Sequence, residues 1–314
     1  MKPLAFLCFL LCLGLSVHAQ QNETRQSIDI LTISGQYGLP QPYDLNPPRG
    51  DATELSGLIN LKVPIDLSKG EKRSIWYSQL TYNFAQINSD IDLPDGIPDP
   101  LRIQGFILQT GLVQKLDETQ SLHLLFSPRF MTDFNNVSSS HFQLGGVVQY
   151  EKKFRKGFTM RFGAMYNQDF WGPMLVPLIY ADWQLSNKWR FTGLVPIYSK
   201  IIYQVNPDLQ LGLSHFGLIT SYRLGDPAFA QDYIERKSVD VTLFARQKIA
   251  NNLFLEGRAG VALNRAYEQY AVDDKMDFRI MFVTFGNDRV RKNVGFGDGA
   301  IFNLRLVYNL EITD

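Results

Sequence analysis

Ionisable side chains recur at every second position of the runs in this chain, and that spacing bears on any chemistry it performs. Arg305 and Glu311 share a parity with Asn303 and Asn309, while Glu256 and Arg258 share one, and so do Asp240, Arg246 and Lys248. Extending the pattern gives basic candidates Lys62, Lys115, Arg129, Lys153, Arg161, Arg190, Lys200, Arg246, Lys248, Arg258 and Arg305. The acidic ones are Asp66, Asp133, Glu151, Asp182, Asp240, Glu256 and Glu311. Side chains of alternating sign on one face either pair across a wall or line a water path with a modest anion bias. The bulk of Arg and Tyr argues against a wide channel.

Other chemistry finds less support. His123 alone among the histidines sits on a polar parity at a strand centre, and no His-x-Ser spacing surrounds His123, His141 or His215. A barrel lipase would need such a pair with an orienting amide. A rim protease using Asp133, His141 and loop acids has nothing raising it above chance. The loop 88–100 places Asp90, Asp92, Asp95 and Asp99 near a glycine, a weak calcium candidate that lacks the strict spacing and terminal Glu of an EF-hand. A solvated acidic loop stiffened by prolines is the simpler reading, and a solvated loop is likewise the simpler reading of Arg289, Arg291 and Lys292. We therefore expect no catalysis, no cofactor and no metal.

The elements that carry these charges read as strands. Opposite each polar class stands an apolar one: Ala300, Phe302, Leu304, Leu306, Tyr308, Leu310 and Ile312 in the last run, and Leu253, Leu255, Ala259, Val261 and Leu263 in the run before. In that earlier run Asn264 and Glu268 join the polar class. Successive side chains on a strand point to opposite faces, so each run has one greasy and one polar side. An Arg or Lys facing lipid at the bilayer midplane costs roughly 2–4 kcal/mol, which sends the charges inward. Aromatics on the apolar parity, among them Trp76, Tyr82, Phe142, Phe154, Trp183 and Trp189, cluster towards run ends as interface girdles would.

Six short polar turns, near 67–72, 116–121, 155–157, 185–188, 206–208 and 250–252, join the runs in hairpins. Together they describe an all-β, up-and-down antiparallel transmembrane β-barrel of 14 strands. Twelve strands follow if 189–205 is not a separate hairpin, and sixteen if 279–285 and 289–294 also span. We read that last pair as an extracellular hairpin. Segments 39–52, 88–100, 225–237 and 272–298 are then extracellular loops.

The first 19 residues, with Lys2, an apolar stretch from Leu4 to Val17 and Val17-His18-Ala19, form a secretory signal with cleavage after Ala19. Residues 20–27 would be a short periplasmic segment and 28–314 a single barrel. Cys8 and Cys12 are the only cysteines and fall in the signal, so the mature chain would have no thiol. Neither stands where a lipidated cysteine would. Charge is balanced at 31 basic and 31 acidic residues, which gives no field for nucleic acid. There is no room for a plug domain ahead of a twenty-two-strand receptor barrel.

The signal, the turns and the final run Ile301-Phe-Asn-Leu-Arg-Leu-Val-Tyr-Asn-Leu-Glu-Ile312, with Trp189-Arg-Phe-Thr-Gly-Leu-Val-Pro196, resemble an uncharacterised family of outer-membrane β-barrels common in Bacteroidota. The end Ile312-Thr-Asp314 departs from the terminal aromatic residue common in such barrels. The resemblance implies the outer membrane of a Gram-negative bacterium, with lipopolysaccharide, other lipids and the barrel-assembly machinery as partners, and it carries no catalytic residue. Three functions stay open in this order: a narrow channel or binding barrel for small polar solutes, a closed structural barrel working through its loops, and a barrel hydrolase.

Overall fold

Alternation of apolar and polar residues becomes a continuous wall in the computed structural model, which describes residues 26–47, 49–69 and 73–312. The proposed signal and most of the segment expected at 20–27 lie outside the described residues. In chain order the strands are β1 (Gln26–Pro42), β2 (Asp51–Asp66), β3 (Ser74–Ser89), β4 (Leu101–Lys115), β5 (Gln120–Phe126), β6 (Arg129–Thr132), β7 (Phe142–Gln143), β8 (Gly145–Arg155) and β9 (Phe158–Asp169). There follow β10 (Gly172–Gln184), β11 (Trp189–Val195), β12 (Tyr198–Asn206), β13 (Leu209–Arg223), β14 (Tyr233–Ala250), β15 (Leu253–Tyr270), β16 (Phe278–Ile280), β17 (Val283–Phe285) and β18 (Gly299–Ile312). Because β5 with β6, and β7 with β8, each form one interrupted strand, the wall is a closed antiparallel barrel of 14 strands. The first break falls at Ser127-Pro128, where proline withholds an N–H from the ladder.

Closure comes from β1 and β18, which pair antiparallel from Gln26↔Ile312 to Gly38↔Ile301. This leaves neither terminal strand with an unpaired edge. One end of the barrel carries the short turns, and the other carries the long segments 43–50, 90–100, 133–141, 224–232 and 271–298. We call these the turn end and the loop end. Turn chemistry is local: Asp117 accepts from Thr119 N at 2.7 Å, and those hydrogen bonds hold its carboxyl below the ordinary range.

The outer face is apolar, with Leu304, Leu306, Val261, Leu243 and Ile59 exposed. Aromatics fall into two outer groups. Phe154, Phe158 and Trp183 pack in series near the turn end, as do Trp189 and Tyr203. Tyr82, Phe106, Phe134, Phe130 and Phe142 form a chain towards the loop end.

Parity fails most plainly in β15. A register shift beside Asn264, whose φ is +51°, reverses the faces of upper β15. Arg265, Tyr267 and Gln269 become buried, and Glu268 pairs with Lys237 at 2.9 Å. The expectation that Asn264 and Glu268 share the inner face with Glu256 is therefore corrected: Asn264 is the exposed bulge residue, and the extra residue of a bulge turns every later side chain over.

The hairpin β13–β14 also departs from a simple wall strand. Its turn-end half alternates, whereas Thr220, Ser221, Tyr222, Tyr233, Ile234, Glu235 and Arg236 are all buried, on both faces. Ser221 Oγ donates to Asp169 at 2.9 Å and Tyr222 Oη donates to Asn83 at 2.6 Å, so this half leans across the lumen onto β9 on one side and β3 on the other. A Cβ on Gly225 would fall on the Asn135 carbonyl, which fixes a glycine at that close approach. Residues 225–237, expected as a free loop, thus include part of an inward plug, and β14 begins at Tyr233.

Candidate functional site

The lumen divides by height. Its loop-end half is filled by an apolar core that includes Ile103, Met131, Trp171, Leu178, Tyr222 and Ile234. Its turn-end half is polar. There Glu256 is 0% exposed and is the centre of a cluster in which Lys200 Nζ stands 2.9 Å, Arg258 Nη2 2.5 Å and Arg305 Nη1 3.3 Å from its carboxylate. The register makes this possible. Glu256 lies opposite Arg305 on β18 and Arg246 on β14, while Lys200 reaches from β12 across the interior.

A second group adjoins it. Arg246 donates to Asp29 at 2.9 Å and 3.3 Å, Asn309 donates to the same carboxylate at 2.8 Å, and Lys62 is within electrostatic reach of Asp29, Arg305 and Arg161. On the opposite wall Arg161 is 3.3 Å from Glu151 and stacks over the Tyr180 ring at 3.8 Å, and Arg190 grips Asp182 with two bonds of 2.7 Å and 2.6 Å. His123 stands 3.7 Å from Glu151. Several of these side chains are partly exposed, so solvent reaches the group.

Among the described residues the groups just named bring together seven cations, Lys62, Arg161, Arg190, Lys200, Arg246, Arg258 and Arg305, and four carboxylates, Asp29, Glu151, Asp182 and Glu256. Low-dielectric walls focus such an excess on the water between them. The arrangement can hold or pass small anions, with Arg geometry suited to carboxylate or phosphate oxygens.

Four of the sequence candidates belong elsewhere. Asp66 is exposed at the turn end and accepts from Ser68 N at 2.8 Å, capping a turn. Asp133 lies beyond β6 and accepts from Gly225 N at 2.9 Å, tying one loop to the plug. Arg129 is buried in the apolar half, with Nη2 3.5 Å from Met165 Sδ. Asp240 is buried higher up, accepting from Ser238 and from Gln36 Nε2 at 3.2 Å. Asp29 was the residue sequence reasoning missed: its flanking Ile28, Ile30 and Leu31 blur the alternation, and the register shift between Asp29 and Leu31 turns it inward.

A separate buried network fastens the plug. Arg236 Nη2 is 3.0 Å and Arg265 Nη1 3.5 Å from Glu54, and Arg279 and Arg289 each reach Glu235 at 2.8 Å. Arg289, read from the sequence with Arg291 and Lys292 as solvated loop, is instead buried against Glu235, and the inward lean of β13–β14 brings it together with the other charges.

The catalytic and metal candidates fare differently. Ser138 Oγ is 3.2 Å from His141 Nδ1, a pair outside the His-x-Ser spacing, but it caps the turn at Ser139–His141, with Ser138 N donating to the same ring nitrogen at 3.1 Å. Asp90 accepts from Asp51 N at 2.6 Å. Among the described residues, Asp90, Asp92 and Asp95 form no group of three or more ligands for a metal ion.

Comparison with known proteins returns barrels of low similarity. The COG4313 outer membrane channel from Pseudomonas putida F1 is 11% identical over 93% of this chain and 100% of that one, with a TM-score of 0.41. The NanC porin gives 11%, 89%, 100% and 0.34. A deltaS2 mutant of the TodX monoaromatic hydrocarbon channel gives 10%, 92%, 91% and 0.42. At such scores no argument about activity follows. No curated protein matches the chain. The family described as Domain of unknown function (DUF6268) matches residues 17–308, and the chain belongs to it.

Proposed function

We propose that this member of the DUF6268 family is an outer-membrane barrel whose turn-end half lumen is a narrow, anion-favouring chamber for small polar solutes. The observation that carries the reading is the cation excess around Glu256, in a lumen half that solvent enters. Support for the membrane comes from the apolar outer face and its two aromatic groups, the pattern of lipid-exposed strands between interfaces. Orientation follows from the turns: short ones face the periplasm and the long segments face outward, so the chamber opens inward.

Planar bilayers with a salt gradient test this. The purified protein is expected to pass small, brief currents with a reversal potential displaced towards that of the anion. A cation-selective current would overturn the reading. A second reading, a closed barrel acting through its loops, is favoured by the apolar core filling the loop-end half. A correctly inserted barrel that is silent at every voltage and releases no small anion from liposomes would decide for it.

A further inference from the structure

The ladder between β10 and β13 stops partway up the wall. The hairpin β11–β12 pairs with β10 only from Ile179 to Gln184, and with β13 only from Leu209 to Phe216. Above it the upper half of β10 keeps β9 on one side and has no β11 on the other, since the hairpin β11–β12 turns back at Val195–Tyr198. The space is filled from the loop end by β16–β17, which pairs parallel with β10 through Met174↔Arg279 and Leu175↔Ile280, and Met281 N donates to the Leu175 carbonyl at 3.0 Å.

This hairpin has the alternation of a wall strand. Arg279 turns inward to Glu235, 2.8 Å away, while Phe278, Ile280, Val283 and Phe285 share the other face, with the Phe278 and Phe285 rings stacked at 6.3 Å. Its turn is Met281-Phe282, where exposed hairpins use Gly, Asn or Asp. Met281 adopts φ +51°, a conformation that glycine tolerates best, and Phe282 is 63% exposed. Apolar side chains at an exposed hairpin tip are unfavourable in water and suited to hydrocarbon.

Height agrees. β16 runs parallel to β10, towards the turn end, so the tip points down the wall. From Trp183 at the turn-end aromatic group to Leu175 is eight residues of β10. At roughly 3.3 Å per residue and a tilt of about 40°, that is about 20 Å, inside an apolar band about 25 Å tall.

We infer that β16–β17 is a substitute wall segment whose outer face, Ile280, Phe282, Val283 and Phe285, lies against lipid acyl chains. The inference rests on the membrane reading above. Nitroxide labels distinguish the two, placed one at a time by Leu304→Cys, Phe282→Cys, Phe285→Cys and Val290→Cys in a chain with Cys8 and Cys12 replaced, in bilayers. Leu304 is mid-wall and 58% exposed, and Val290 lies in the loop beyond the hairpin, 73% exposed. The expected result is high oxygen and low nickel-chelate accessibility at 304, 282 and 285, with the reverse at 290. Lipid contact at 304 but nickel-chelate access at both 282 and 285 overturns this inference and leaves the membrane reading standing. Nickel-chelate access at 304 overturns both.

Discussion

At the scale of single residues, Glu256 decides more than its neighbours. It is one buried carboxylate shared by Lys200, Arg258 and Arg305, so its loss leaves three cations facing each other. Glu256→Gln is expected to lower unfolding stability by about 3 kcal/mol, the usual cost of breaking a buried pair from one side. Urea unfolding in liposomes checks the magnitude. The same substitution raises the chamber's net charge by one, so the reversal potential should move further towards the anion, and adding Lys200→Met should return part of both changes. Parity put Glu256, Arg258 and Arg305 in one inward class with many other charges, because period two survives along their strands; the register and the reach of the side chains then make them meet. It misplaced Asp66 and Asp133, which share that parity but stand at strand ends, where facing inward no longer means facing the lumen. Glu268 was misplaced by one extra residue at Asn264, which a sequence shows only as a polar side chain in an alternating run.

At the scale of elements, the upper half of β13–β14 is the unexpected part. Residues 225–237 read as loop, since Gly225, Asp226 and Pro227 are turn residues and Glu235-Arg236-Lys237 breaks the alternation. Those charges are instead the fastening of a plug: Glu54 on β2 takes both Arg236 and Arg265. Glu54→Gln should leave Arg236 and Arg265 without their counter-charge in the apolar half and loosen this element alone. Hydrogen exchange is expected to speed up in 218–224 and 233–237 while β1, β2 and β18 keep their protection. Uniform acceleration through the barrel would mean that the hairpin is an ordinary part of the wall. The strand count, by contrast, was legible, because each of the fourteen wall strands carries its own apolar face and most are marked by a polar turn at the other end. The interruption at Ser127-Pro128 did not hide its strand, since β5 and β6 both still pair with β4.

At the scale of the whole molecule, the lumen has an apolar loop-end half and a charged turn-end half in series. On the proposed function the first would limit passage and the second would select among what passes. This division was not legible in the sequence, because parity assigns a residue to inside or outside and says nothing of which inward side chains meet across the barrel. It predicts a double dissociation. Replacing 218–236 with a short Gly/Asn turn removes the plug and should raise single-channel conductance several-fold while the reversal potential stays displaced towards the anion. Neutralising Lys62, Lys200 and Arg305 together, with the plug intact, should carry the reversal potential towards zero with little change in the size of the small currents. If one set of changes moved both quantities equally, conductance and selectivity would share a single constriction, and the two-compartment account would fail. The order of the compartments also matters: a large anion added on the turn side should block the plugless barrel at lower concentration than one added on the loop side, because only the turn-side entrance opens directly onto the cations around Glu256.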